Sequence, residues 1–377
     1  MDDIEERKAL VKGRKIPIPE GVDVGEWFYT DGQAGFPEKP QEDSQVDTTG
    51  DITGLIEEYL AGRRLDVEAG QLGHASYASD QYHLSGFRRF CETKGATDLA
   101  VAVGTGNLNA YRTQEMGRLA RGEISAVTVR HVLRTVKALM RWAFDQEILD
   151  SLPRILNKYR IAVPAPTPQF FEVDEVKGLY DAATDPVKLY ILLGLNCGYT
   201  QSDIATLEHS HVDWGQAMIV RDRNKTGQAQ EHKLWQRTLT LLKRQATPPR
   251  DSSLVLLSQS GKSLLQQTIN ADGKPSRMDA IGIGFRQIRG HVNWARKESQ
   301  REIKLTFKYF RKTGANMIAK EYQANPFLVD LYQAHAHGGM RRHYAQQHYG
   351  ELHKATDWLA SIYGFDKEES SSSGGNP

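Results

Sequence analysis

The stretch TFKYFRKTGANMIAKE, residues 306–321, contains the pair of cations around which the rest of the chain can be interpreted. Lys308 and Arg311 are three residues apart, so on a helix both side chains would lie on one face. Two cations at that spacing suit a single anion with several oxygen atoms, such as a phosphate. The stretch therefore predicts a helix that presents a phosphate-binding pair.

A second stretch, LYQAHAHGGMRRHYAQQHY, follows at residues 331–349. In it, His335 precedes Tyr344 by nine residues. The cations directly before the tyrosine are Arg341, Arg342 and His343. Positive charge around a phenol favours its ionised form, so Tyr344 is a candidate nucleophile. The histidines lack a cysteine or a well-placed carboxylate beside them, and we therefore predict no metal site.

Charge is unevenly distributed along the 377 residues. Residues 1–50 and 351–377 are acidic, and the body between them holds 40 Lys and Arg against 30 Asp and Glu. A basic body with acidic ends fits a protein that binds a nucleic acid. The alternative, a solvated surface of mixed charge, stays open on charge alone.

The two cysteines, Cys91 and Cys197, are too few for a disulfide framework or a four-cysteine zinc site. The longest apolar run, LYILLGLNC at residues 189–197, is too short to cross a bilayer. We therefore expect a soluble cytoplasmic protein with reduced core thiols.

The chain divides by composition into five segments. An irregular extension is predicted at 1–50 and a helical domain of four helices at 51–160. A linker containing three prolines follows at 161–169, then an α+β domain at 170–365 and a disordered tail at 366–377. The fold class is thus mainly α with a small β-sheet.

The last helix of the first domain is amphipathic. Its apolar residues recur at helical spacing from Val129 to Ala143. A second stripe is basic and consists of Arg130, Arg134, Lys137 and Arg141. This stripe is predicted to contact DNA, although a plain solvated face would have the same pattern.

In the second domain, residues 217–235 predict two short strands around the turn NKTG. Lys225 would lie at the tip of this hairpin. Arg221 and Arg223 precede it and are predicted to contact the DNA backbone; either could instead reach the phosphate that is attacked.

The order of these motifs resembles the tyrosine recombinases, the phage integrase family. The resemblance spans about residues 51–363 and comprises a helical core-binding domain, a linker, a hairpin lysine, a [H/K]-x-x-R box, a later histidine and a tyrosine nine residues on. It implies that Tyr344 attacks a DNA phosphodiester to form a 3′-phosphotyrosyl link. It further implies that Lys225 protonates the leaving 5′ oxygen, while Arg311 and Lys308 stabilise the phosphoryl group. His335 would help to hold that group or to move a proton. Neither a metal nor a nucleotide cofactor is implied.

One position departs from the family pattern. The family has an arginine in a G-[apolar]-R-x-x-[E/D] box, and the matching residues here, 198–203, read GYTQSD with Thr200 in place of the arginine. The first hypothesis is a site-specific recombinase, and the second is a DNA-binding protein of this fold with weakened or lost cleavage. The third is a type IB topoisomerase, which shares this chemistry.

The resemblance also implies partners. Strand exchange needs double-stranded DNA and four active sites, so we expect a homotetramer on DNA, associated with the nucleoid. The helix after Tyr349 carries the apolar residues Leu352, Trp358, Leu359 and Ile362. This stripe is predicted either to be exchanged between protomers or to pack in the core of its own chain.

Overall fold

The computed structural model describes residues 50–165, 167–223, 227–296, 300–335 and 349–366, in two compact units, Met1–Pro164 and Ala165–Pro377. The boundary between the units falls inside residues 161–169, where the sequence predicts a linker. Across the described residues, no helix is long and apolar enough to cross a membrane.

The N-terminal unit is helical in its described part. Its elements are α1 (Ile52–Glu68), α2 (His74–Thr93), α3 (Leu99–Val103), α4 (Thr105–Ala120), α5 (Ala126–Asp145) and a 3-10 helix at Arg154–Lys158. The four predicted helices are present, and α3 is additional. Asp98 caps α3 by accepting a hydrogen bond from the Val101 amide. Five residues are too few to show helical periodicity, so the sequence pattern does not predict this helix.

Helix α5 supplies much of the core of this unit. Ser125 caps it by accepting a hydrogen bond from the Thr128 amide at 3.1 Å. The apolar stripe of α5 is buried against α2 and α4, and Leu133, Val136 and Leu139 are wholly inaccessible to solvent. Burial of one face of α5 leaves the opposite face to solvent.

The C-terminal unit combines helices with two small antiparallel sheets. Its helices are α6 (Val173–Asp181), α7 (Asp185–Asn196), α8 (Gln201–Ala205), α9 (Gln236–Gln245), α10 (Ala280–Ala295), α11 (Tyr309–Glu321), α12 (Phe327–Gln333) and α13 (Tyr349–Tyr363). One sheet has the order β1 (Val212–Asp213), β2 (Met218–Asp222), β3 (Ala229–Lys233), and the other pairs β4 (Leu265–Ile269) with β5 (Pro275–Asp279). The predicted hairpin is β2–β3, in register from Met218 opposite Lys233 to Asp222 opposite Ala229.

Helix α7 lies at the centre of this unit and is buried almost all round. It meets α11 at Gly194, where an added Cβ would lie 3.1 Å from the Cβ of Phe310. Glycine thus lets the two helices approach closely. The approach brings Arg311, the residue after Phe310, next to the chain that leaves α7.

Helix α13 packs in the core of its own chain. Leu352 and Leu359 are wholly inaccessible, and the Trp235 indole donates a 3.0 Å hydrogen bond to the Thr356 carbonyl. Lys233 of β3 and Asp357 of α13 form an ion pair at 2.9 Å. The structure therefore favours core packing over exchange between protomers for the apolar stripe of this helix.

Candidate active site

The chain after α7 turns sharply at Gly198, whose φ is +61°. An added Cβ there would lie 2.7 Å from the carbonyl oxygen of Tyr332. Both the positive φ and the close backbone therefore require glycine. The turn directs the Gly198 carbonyl toward α11 and starts the short helix α8.

Thr200, the residue in place of the family arginine, is the N-cap of α8. Its amide and its hydroxyl both donate to Asp203 Oδ2, at 2.8 and 2.7 Å. The Asp203 carboxylate thus closes a capping box. The Thr200 side chain is committed to that carboxylate and carries no charge.

Arg311 is buried at the inner face of α11, with 6% of its surface exposed. Its guanidinium donates to the Gly198 carbonyl at 2.7 Å and to the Gln333 carbonyl. Burial, together with the nearby charge of Arg223, lowers the pKa of Arg311 to about 10, while Asp203 acts in the opposite direction. The positive charge of Arg311 is therefore held in a poorly solvated place.

Arg223 follows β2 and is 8% exposed. Its Nη1 donates to the Gln333 carbonyl at 3.3 Å, and its Nε lies 3.8 Å from Asp203 Oδ1. The hairpin continues past the strands at this residue, because the Arg223 amide donates to the Gln228 carbonyl. Two guanidinium groups thus converge on one carbonyl oxygen.

That oxygen belongs to the last residue of α12, where the helix dipole leaves partial negative charge. Ala334 follows with a left-handed backbone, φ 41°. Tyr332 fixes the end of the helix, because its buried hydroxyl donates to the Leu195 carbonyl at 2.6 Å. The end of α12 is therefore held against α7, beside both arginines.

The sequence predicts that Arg221 contacts the DNA backbone, but in the structure its side chain points into the protein. Its side chain is 5% exposed and donates to the Asp203 carbonyl at 3.0 Å and to the Thr206 hydroxyl at 3.1 Å. These contacts tie β2 to α8. Side chains alternate between the two faces of a strand, and Arg221 falls on the inward face, so the structure does not support a DNA-backbone contact for it.

Lys308 and Arg311 do not share the predicted helix face. Helix α11 begins at Tyr309, so Lys308 precedes its first turn and is exposed, with Nζ 5.7 Å from the centre of the Tyr309 ring. Arg311 points inward. Spacing alone does not fix the direction of a long side chain: Lys308 extends into solvent, whereas the Arg311 guanidinium is held by the Gly198 carbonyl.

His335 follows the end of α12. Its amide donates to the Asp330 carbonyl at 3.0 Å, and its Nδ1 lies 3.9 Å from Asp330 Oδ1. One residue, Ala334, separates His335 from Gln333, whose carbonyl accepts hydrogen bonds from both arginines. Lys225 and Tyr344 lie outside the described residues, so their predicted roles stay predictions.

The basic stripe of α5 faces solvent. Arg130, Arg134 and Arg141 are exposed and Lys137 is partly exposed. This arrangement leaves the four cations accessible to a polyanion, as the sequence predicts, and their contact with DNA stays a prediction.

Sequence reasoning missed two parts of the site. The Gln333 contribution is a backbone carbonyl, for which side-chain identity gives no signal. His232 on β3 is buried in contact with the Tyr199 ring, and desolvation by burial lowers its pKa to about 3. The alternation of β3 places Gln230 and His232 on one face, but only the packing shows that this face is interior.

Within the described residues, no group of three or more His, Cys, Asp or Glu is arranged to hold a metal.

Several solved structures have the same architecture. A lambda integrase dimer bound to a COC′ core site is 13% identical, with a TM-score of 0.53, and the match covers 79% of this chain and 99% of that one. A Tn1549 transposon integrase in complex with transposon right end DNA is 14% identical with a TM-score of 0.54, covering 82% and 99%. A lambda integrase tetramer bound to a Holliday junction is 14% identical with a TM-score of 0.55, covering 86% and 88%.

The chain has the integrase fold. The predicted fold class, mainly α with a small sheet, is thus confirmed. No family model matches the sequence, and no curated protein matches it. At 12–14% identity the integrase structures give the fold of the chain, and its activity has to be argued from its own residues.

Proposed function

We propose that this protein is a site-specific DNA recombinase that cleaves and rejoins strands through a 3′-phosphotyrosyl intermediate. The main support for this proposal is a buried site with two arginines in a chain that has the integrase fold. Arg311 and Arg223 converge on one carbonyl, and among the described residues Asp203 is the carboxylate that forms an ion pair with Arg223. Excess positive charge in a poorly solvated place is costly unless an anion arrives to neutralise it.

The proposed chemistry follows from the charges. The Tyr344 oxygen would attack the phosphorus as its phenolic proton passes to the neutral imidazole of His335, and the bond from phosphorus to the 5′ oxygen would break. Lys225 would give its proton to that leaving oxygen. Arg311 would stabilise the charge on the non-bridging oxygens, with Lys308 and His335 assisting at its edge. The bond energy is retained in the phosphotyrosyl link, so rejoining is the reverse of these steps.

Double-stranded DNA is the proposed partner, and a homotetramer on DNA is the proposed assembly. The support is the integrase fold together with the solvent-facing cations of α5. A second candidate, a DNA-binding protein without cleavage, is favoured by Thr200, whose hydroxyl is committed to Asp203 and supplies no charge.

Covalent capture tests the proposal. Because the target site is unknown, the protein is incubated with a pool of nicked duplexes that contain a randomised segment. Protein that stays attached to DNA on a denaturing gel is recovered and its DNA sequenced. Wild type should give an adduct on a defined sequence. DNA binding without any adduct would favour the second candidate.

The nucleophile is tested with two tyrosine variants. Tyr344→Phe should abolish the adduct and change DNA affinity little, because one hydroxyl contributes little to an interface dominated by phosphates. Tyr349→Phe is the matched control. The Tyr349 hydroxyl already donates to the Ala229 carbonyl at 2.8 Å, and burial raises its pKa to about 12, so it is a poor nucleophile. Adduct lost only in Tyr349→Phe would contradict the assignment.

A further inference from the structure

Thr200 leaves the site without one cation that the resemblance implies. Its hydroxyl and its amide bind one oxygen of Asp203, and no charge is present on this side chain. A hydroxyl can donate one hydrogen bond to a phosphate oxygen but cannot neutralise it. If the proposed cleavage occurs, another side chain has to supply the charge.

Arg223 lies on the other oxygen of the same carboxylate. Its Nε is 3.8 Å from Asp203 Oδ1, whereas Thr200 is bound to Oδ2. The Asp203 carboxylate therefore attracts Arg223 without a direct hydrogen bond and at the same time caps α8 through Thr200. Of the two side chains beside this carboxylate, Arg223 is charged and Thr200 is neutral.

Arg223 also lies close to Arg311. Both donate to the Gln333 carbonyl, so a nitrogen of each guanidinium lies within hydrogen-bond distance of a single oxygen atom. Two guanidinium groups this close can bind two oxygens of one phosphate. The geometry that two active-site arginines require is thus present without an arginine at position 200.

The charges on these groups are incompletely balanced. The buried Nε of Arg223 has no hydrogen-bond partner in the structure, and Arg223 destabilises the charge on Arg311. Guanidinium groups that repel each other inside a protein gain most from an anion placed between them. A purely structural role for Arg223, holding the end of α12, would not need this excess of charge.

We infer that Arg223, on the hairpin, supplies the second phosphate-binding guanidinium of the active site, in place of the arginine absent at Thr200. This inference rests on the proposed function. It makes Arg223 a catalytic residue that contacts the scissile phosphate, and Asp203 the residue that positions it.

The test moves the charge from one side of Asp203 to the other. Adduct formation is timed for wild type, Arg223→Gln, Thr200→Arg and the double variant. Arg250→Gln is the matched control, since that arginine is in the same unit with 85% of its side chain exposed. Thermal unfolding is recorded for each protein. If Arg223→Gln does not unfold cooperatively, Arg223→Met, which also removes the charge and keeps a long side chain, replaces it throughout.

Arg223→Gln should reduce the rate of adduct formation by about 10²–10³, the usual effect of removing one such donor. Adding Thr200→Arg to Arg223→Gln should raise the rate of adduct formation at least tenfold above that of Arg223→Gln alone, because it returns a guanidinium to the site. Rescue separates catalysis from structure, since an arginine at 200 does not rebuild the contact of residue 223 with Gln333. Wild-type rates in Arg223→Gln, or a loss that Thr200→Arg does not relieve, would overturn the inference.

Failure of the proposed function is distinguishable from failure of this inference. If wild type forms no adduct, the cleavage proposal fails, and the salt dependence of duplex binding decides the role of Arg223. Loss of one phosphate contact should lower the slope of log affinity against log salt by about one in Arg223→Gln. An unchanged slope would then exclude a phosphate contact for Arg223.

Discussion

His232 is the side chain whose buried position has the clearest consequence for stability. Burial, with repulsion from His353 and Arg311, lowers its pKa to about 3. Neither of its ring nitrogens has a hydrogen-bond partner in the structure. The folded protein therefore keeps this imidazole neutral under conditions in which the unfolded chain protonates it.

The sign of the resulting pH dependence follows from linkage. Below the unfolded pKa of about 6.5 the unfolded chain binds a proton that the folded protein does not, so stability falls as pH falls toward 3. Through His232 the free energy of unfolding should fall by about 2 kcal/mol between pH 7 and 5. In His232→Phe, which retains an aromatic ring against Tyr199, this part of the loss should disappear.

Urea unfolding of wild type and His232→Phe at a series of pH values measures the difference. His291→Gln, on an exposed part of α10, should follow the wild-type curve. Parallel curves for wild type and His232→Phe would show that His232 is solvated in the folded protein, and His232→Gln provides a second comparison if the phenylalanine is not accommodated.

At the scale of elements, the packing of α13 shows that this helix belongs to the core of its own domain. Leu359 is wholly buried in the main core of the unit, and Lys354 on the same helix is exposed and paired with Glu351. The helix is thus part of the domain that contains the site, and its removal would expose that core.

Leu359→Ala should therefore lower the free energy of unfolding by about 2–5 kcal/mol, the usual effect of truncating a fully buried leucine. Lys354→Ala should change it by less than about 0.5 kcal/mol. Chemical denaturation measures both. A stable Leu359→Ala variant that loses only self-association would show instead that the stripe contacts another protomer.

At the scale of the whole molecule, the net positive charge of the body should govern DNA binding. Binding displaces condensed counterions from the duplex, so log affinity should fall linearly with log salt. The double variant Arg134→Gln/Arg141→Gln, on the exposed face of α5, should lower that slope by about two.

Arg121→Gln is the control, because that exposed arginine is already paired with Glu123 at 2.6 Å. Fluorescence anisotropy with one labelled duplex at several salt concentrations measures all three proteins. Affinity that does not change between low and physiological salt would contradict the proposed role of the basic body.

Much of the fold could be predicted from sequence, because periodicity records which faces are buried. The apolar stripe of α5, the strands on either side of NKTG and the buried helix α7 are all visible in the residue order. Short elements such as α3 were missed, since capping by one aspartate is a weak local signal. Of the candidate site, Arg311 and the separate box at residues 198–203 could be identified as candidates from motif order alone.

The sequence by itself determined the residue types of the site, the fold class and the absence of an arginine at Thr200. Only the tertiary structure decided which cations converge. The sequence gives no reason to distinguish Arg221 from Arg223. In the structure, Arg221 links β2 to α8, whereas Arg223 and Arg311 donate to the same Gln333 carbonyl. The physical reason is that burial and distance between residues far apart in the chain depend on how α7, α11 and the hairpin pack, and no local pattern of side chains encodes that packing.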